Sequence, residues 1–359
     1  MLRYIKILLL IAWHLPAAAQ QDSIAKPLTF SGYTELYYTY DFGKPADGNR
    51  PAFAYSHNRH NEVNLNLAFV KAAYATDQIR GNLALAAGTY MNANYAAEPG
   101  VLKNIFEANI GIKISRKSNL WIDAGIMPSH IGFESAIGKD CQNLTRSILA
   151  DNSPYFETGV KLTYTSPNEK WLVSGLVLNG WQRIQRVAGN STPAIGHQVT
   201  FKPRAGITLN SSSFIGNDKP DSSRQMRYFH NFYGIFQLSQ RVGLTVGFDA
   251  GAQQKAKGSR QMHAWYTPMV VLQLKVSQKT SIALRGEHYN DKHGVMVASS
   301  TPNGFNTWGY STNFDYSVSQ HVLWRMEARG FTGKDATFTK DNTASRHNFF
   351  IATALAISF

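Results

Sequence analysis

The chain of 359 residues holds a single cysteine, Cys141, so no disulfide can form within it. Covalent staples are excluded, and stability has to come from backbone pairing and packing. Acidic residues are scarce as well: 23 Asp and Glu stand against 36 Lys and Arg, a formal charge of +13, or +11 without Arg3 and Lys6. The excess is spread along the chain rather than clustered. That argues against nucleic acid as a partner and suits an anionic surface such as lipopolysaccharide, or anionic solutes. Beyond the first twenty residues no apolar run approaches the roughly 20 residues that a spanning helix needs. The absence removes helical spans but leaves a membrane barrel open. Barrel strands alternate lipid-facing and lumen-facing residues, and so average to a polar composition. The mean hydropathy here is -0.27.

What is present fits export. Arg3 and Lys6 precede an apolar stretch from Ile7 to Leu15, broken by His14, and Ala17, Ala18 and Ala19 supply small residues for cleavage next to Gln20. Residues 1–20 read as a signal peptide and residues 21–359 as one exported domain. A membrane anchor would need about twice that apolar length, and no cysteine follows the cleavage site to make a lipoprotein. The 17 Tyr, 20 Phe and 7 Trp fit aromatic girdles at two membrane interfaces, and would also fit a secreted β-sandwich.

Apolar residues recur at every second position in one segment after another. Leu28, Phe30, Leu36, Tyr38 and Tyr40 share one face of a first strand, with Glu35 on the other. Val63, Leu65, Leu67 and Phe69 alternate with Asn64 and Asn66 in a second, and Ile79, Gly81, Leu83 and Leu85 oppose Arg80 and Asn82 in a third. A fourth sets Phe106, Ala108, Ile110 and Ile112 against Glu107, Asn109 and Lys113. The pattern continues through 171–181, 206–216, 227–238 and 322–331, and is weakest around Val199 to Gly216, where register is least defined. Short polar joints such as Arg116-Lys117-Ser118, Ser239-Gln240-Arg241 and Ser319-Gln320-His321 alternate with long connections. No repeat of solenoid type accompanies them. At roughly 10 spanning residues per strand, the chain predicts an all-β, transmembrane, antiparallel up-and-down β-barrel of about 16 strands.

Two stretches stand out. At the C-terminus Phe349, Ile351, Thr353, Leu355, Ile357 and Phe359 alternate with Ala352, Ala354, Ala356 and Ser358 up to a terminal aromatic residue. Leu355, Ile357 and Phe359 read as the signal that barrel assembly machinery recognises, the alternative being an ordinary last strand. The other stretch, Met127 to Tyr155, is the longest central run that looks like neither strand nor helix, and it carries Glu134, Lys139, Asp140, Arg146 and Asp151. A connection this long needs a function. As the third long loop of a barrel it is expected to fold into the lumen and narrow it, with a surface loop over a sheet as the plainer reading.

Ala124-Gly125-Ile126-Met127-Pro128, Ile131-Gly132-Phe133-Glu134-Ser135, Leu144-Thr145-Arg146-Ser147 and Asp151-Asn152-Ser153-Pro154-Tyr155 resemble the pattern of the OmpL-like family of outer-membrane β-barrel porins. The resemblance runs over most of the chain after the leader. It implies a porin in the outer membrane of a Gram-negative-type cell, and supplies no substrate.

If the apolar positions face lipid, Glu35, Arg80, Glu107, Lys113, Asp123, Glu157, Lys161, Lys202, Arg204, Arg285, Glu287, Arg325, Glu327 and Arg329 line the lumen. The densest group is Arg325, Glu327 and Arg329 at alternate positions, with Arg285 and Glu287 two strands away. Two readings apply. Fixed charges opposite an acidic loop create a transverse field that selects polar solutes by charge; alternatively the charges pair with one another and pin the loop to the wall, with Arg146 as a loop anchor. The eleven histidines form no Ser/His or Asp/His constellation of a barrel hydrolase. His57 with His60, and His288 with His293, lack a third metal ligand. The expectation is therefore a channel for small hydrophilic solutes with mild anion preference, without cofactor, set in outer-membrane lipid. A homotrimer follows by analogy. A structural or surface-interaction barrel with a blocked lumen is the alternative.

Overall fold

The computed structural model describes residues 27–359, and the segment read as a signal peptide lies outside them. The first nine strands are β1 Leu28–Asp41, β2 Val63–Ala75, β3 Ile79–Ala87, β4 Ile105–Lys113, β5 Asn119–Pro128, β6 Phe156–Thr165, β7 Trp171–Leu178, β8 Ala194–Phe201 and β9 Ile207–Gly216. They are followed by β10 Arg227–Gln237, β11 Val242–Gln254, β12 Met262–Lys275, β13 Thr280–Asp291, β14 Phe305–Ser317 and β15 Val322–Gly333. A small hairpin, β16 Phe338–Lys340 and β17 Thr343–Ser345, precedes the last strand, β18 His347–Ser358. Every strand except the hairpin pairs antiparallel with its neighbours in one closed barrel, sixteen strands around. Closure joins β1 to β18 from Tyr33↔Ser358 to Asp41↔Phe350, so no edge is left unpaired.

Alternation fixes the two surfaces. Phe30, Val63, Val70, Ile110 and Trp308 are exposed on the outside, as lipid-facing residues are, while Glu35, Asn231, Thr245 and Glu327 at inward-facing positions are buried. Tight turns such as 76–78, 238–241 and 318–321 close one end, and long connections such as 42–62, 88–104 and 129–155 rise from the other. Among the described residues no helix is long and apolar enough to cross a membrane.

Two local readings of the sequence are corrected, both by bulges that shift the period-two phase. Register slips between Glu35 and Leu36 against β2, so Leu67 turns inward and is buried, and Phe69 stacks on Tyr33 and Phe106 inside the barrel. A second slip between Ala84 and Leu85 turns Phe106 inward as well. Other boundaries move: β7 ends at Leu178, β8 begins at Ala194, and Lys202 and Arg204 sit in an exposed turn rather than on the lumen wall.

The connection 42–62, read from sequence only as a polar loop, also folds inward. Phe53 packs on Phe305 and Phe331, with ring centroids 4.8 and 5.3 Å apart, and Arg50 lies 3.5 Å over the Phe350 ring. Buried His57 bonds Glu35 at 2.7 Å. Burial lowers the histidine's proton affinity, so the neutral ring is the form that donates to the carboxylate.

Candidate functional site: a docked loop and the wall that faces it

The long third connection begins at Ser129, since Met127 and Pro128 complete β5, and it runs to Tyr155. It folds on itself before it meets the barrel. Arg146, fully buried, donates to the carbonyls of Leu144 and Ser135, each at 2.6 Å, and of Ala136 at 3.0 Å, tying both legs of the loop together. Glu134 accepts from the Ser147 backbone N–H at 3.0 Å and from the Ser147 hydroxyl. That hydroxyl accepts from the Ala150 N–H at 3.1 Å and so caps a one-turn helix, α1 Ile148–Asp151. Inside the fold lies Cys141, whose thiol burial pushes up to about 11, keeping it protonated.

Strands β13 to β15 grip the loop through side chains that alternate along their inner face. Arg325 holds Asp315 with two bonds at 2.7 and 2.8 Å, and turns its remaining donors to the carbonyls of Gly138 and Cys141 at 2.6 and 2.8 Å. Glu327 accepts from the Thr145 N–H at 2.6 Å, the Thr145 hydroxyl at 2.7 Å and Arg285 at 2.7 Å. Glu287 accepts from the Ile148 N–H at 2.6 Å and from Arg329, which in turn donates to the Arg146 carbonyl at 2.7 Å. At the loop's start, His130 bridges Glu157 at 2.7 Å and the Ser213 carbonyl at 2.8 Å. At Gly138 the loop lies so close to the wall that any Cβ would collide with the Glu35 carboxylate.

The candidate residues therefore separate into three groups. Glu134, Arg146, Asp151, Arg285, Glu287, Arg325, Glu327 and Arg329 come together at and beneath the docked loop; the five on β13 and β15 are buried rather than facing open water. Lys139 and Asp140 lie exposed at the loop's tip. Arg80, Glu107 and Lys113 sit on strands across the lumen, where Arg80 pairs with Asp123, and Glu107 with Lys71 at 2.9 Å. Sequence reasoning missed Lys71, Trp121 and the β14 series Ser311, Asn313 and Asp315. The last was legible as a polar period-two face; Trp121 was absorbed into the count of girdle aromatics although its position faces inward.

Two of the cavities inside the barrel bear on the site. One of about 340 Å³ lies between the loop and the wall, lined by Phe133, Glu134, Tyr155, Phe106 and Tyr233. The other, about 450 Å³, is lined by Arg80, Asn82, Trp121, Asp123, Lys161 and Gln198, among others.

A closed sixteen-stranded barrel with a polar, charged interior narrowed by an inward loop defines an outer-membrane porin. The chain belongs to the beta-barrel porin-2, OmpL-like family, whose model matches residues 27–359. Solved structures share the fold at low identity. Outer-membrane OmpT of Vibrio cholerae superposes with a TM-score of 0.61 at 9% identity, covering 94% of this chain and 99% of that one. An anion-selective porin from Comamonas acidovorans gives 0.60 at 8%, covering 92% and 99%. The outer-membrane channel DcaP of Acinetobacter baumannii gives 0.60 at 10%, covering 95% and 100%. No curated protein matches the sequence.

Proposed function

We propose that this porin passes small hydrophilic solutes passively through the space left beside the docked loop, with a mild preference for anions. The observation that carries this reading is the loop itself: its backbone is fastened to one wall by hydrogen bonds from buried, ion-paired side chains, and a polar cavity is left against the other. The anion preference rests on the formal charge and on the residues around the larger cavity, where three cations, Lys71, Arg80 and Lys161, meet two anions, Glu107 and Asp123. A similar barrel from Comamonas acidovorans is named anion-selective. Nothing in this reading calls for a cofactor or covalent chemistry.

Two partners belong to the same proposal. The barrel assembly machinery reads Leu355, Ile357 and Phe359, which point outward from the closing strand and are accessible there. A second and third copy cover the wall of β7 to β10, since one solved structure of this fold, OmpT, is described in a trimer form. There β7 and β8 have only eight residues each. Their side of the barrel turns polar groups to the outside: Ser213 bonds His197 at 2.6 Å and Ser211 bonds His230 at 3.0 Å. Polar groups facing hydrocarbon are costly, and a facing copy would remove that cost.

The test is single-channel conductance of the refolded chain beside a variant lacking Gly132 to Asn152. Steady conductance that rises on deletion is expected, with a reversal potential in a salt gradient of the sign for mild anion preference. Silence from properly folded protein in both forms would end the diffusion reading; strong cation selectivity at neutral pH would end the anion preference alone.

A further inference from the structure

On the wall facing the docked loop, charges are paired by a repeated device. Lys71 on β2 reaches over Ala84 on β3 to Glu107 on β4 and holds both carboxylate oxygens at 2.9 Å. Arg80 on β3 reaches over Gly111 on β4 to Asp123 on β5, bonding one oxygen at 2.7 Å and the other at 2.5 Å. Gly111 permits this, because a Cβ there would collide with the Asp123 carboxylate. Each acid is thus consumed by a cation two strands away. The next cation is Lys161 on β6, in register with Asp123. Both Asp123 oxygens already accept from Arg80, and among the described residues Lys161 has neither an ion pair nor a side-chain hydrogen bond.

We infer that Lys161 is the anchor of a lumenal subsite for a small hydroxylated monocarboxylate, a sugar acid by chemical class; this rests on the porin reading above. Of the five charged side chains that line this cavity, Lys161 is the one without an ion pair, so the site carries a single excess positive charge that matches one carboxylate. Around it stand groups that recognise hydroxyls: Asn82, Asn109, Ser174 and Gln198 line the same cavity. Gln198 already donates its amide N–H to Asn210 at 3.1 Å, which leaves its carbonyl to accept. Trp121 supplies a flat apolar surface: Arg80 covers one face of its ring, and the sugar ring stacks on the other. Its indole N–H is fixed by Asn119 at 2.7 Å, and the Arg80 guanidinium lies 4.3 Å from its ring centre, so the platform is oriented before a solute arrives. A volume of about 450 Å³ admits a solute of that size.

The probe is glucuronate, with glucose as its neutral counterpart, titrated against the refolded full chain in detergent while tryptophan fluorescence is recorded. A saturable change with glucuronate is expected, about tenfold weaker with glucose. Lys161→Gln should weaken glucuronate by about tenfold and leave glucose unaltered, Lys161→Arg should retain binding, and Trp121→Phe should remove most of the signal. Glucuronate titrating Lys161→Gln as it does the wild type, or no saturable change at all, would overturn the subsite. Bilayer conductance in potassium chloride is measured on the same preparations. A chain that conducts without Lys161-dependent binding loses only the subsite, and one that binds glucuronate yet never conducts loses only the diffusion reading.

Discussion

Arg325 shows how far one side chain reaches. It joins β15 to Asp315 on β14 and to two loop carbonyls, and is itself fully buried. Removing one partner of such a buried group leaves the others uncompensated, at a cost of about 3–5 kcal/mol. Arg325→Met is therefore expected to lower the heat-denaturation midpoint of the folded barrel and to open 138–146 to trypsin; an unchanged cleavage map would mean the loop is held elsewhere. Asp151, in the loop and outside the spanning strands, gives a prediction of pH dependence. Burial raises its carboxyl from 3.8 to about 7 against the pull of Arg329 and Arg146, and among the described residues only the Tyr155 hydroxyl, at 3.1 Å, donates to it. The folded form thus keeps a proton that the unfolded form has released. Stability from this group is full below about pH 4, falls as the pH rises toward 7, and is lost above it. Asp151→Asn should raise the heat-denaturation midpoint at pH 8 and leave it unchanged at pH 4; an equal gain at both would refute the shift. Arg325, Glu327 and Arg329 alternate along the buried face of β15. What spacing does not encode is whether that face meets water or another segment.

At the scale of the element, the strands were legible because lipid on one side and lumen on the other impose a period of two over most of each strand. The reading failed where bulges interrupt that period, at Leu67 and Phe106, since an extra residue leaves no mark in composition. It also failed for the inward course of 42–62, whose burial depends on Phe53 finding Phe305 and Phe331. The last strand carries its own prediction. The Phe359 backbone pairs with Gly32 in both directions, at 2.9 and 3.1 Å, extending the seam of closure to the final residue. Phe359→Ser is expected to reduce the yield of heat-modifiable barrel in cells while leaving refolding in detergent nearly intact. Equal loss in both settings would assign Phe359 to closure rather than to recognition by the assembly machinery.

At the scale of the whole molecule the wall is uneven, from eight residues in β7 to fourteen in β1 and β12. If copies meet at the low side, light scattering of the detergent-extracted protein should give three times the protomer mass, and His230→Trp, a residue lipid tolerates, should reduce it to one without unfolding the barrel. A wild-type mass of one protomer would remove the proposal. The docked loop also bears on how the barrel comes into being. Its anchors lie far along the chain: Ile148 meets Glu287 across 139 positions, and Gly138 meets Arg325 across 187. Contacts of such separation form late, after the intervening chain is in place. During synthesis from the N-terminus, the loop is thus made long before the strands that receive it. The bore of the finished channel is decided at the end of folding, and a barrel trapped just before that step would be wide and leaky.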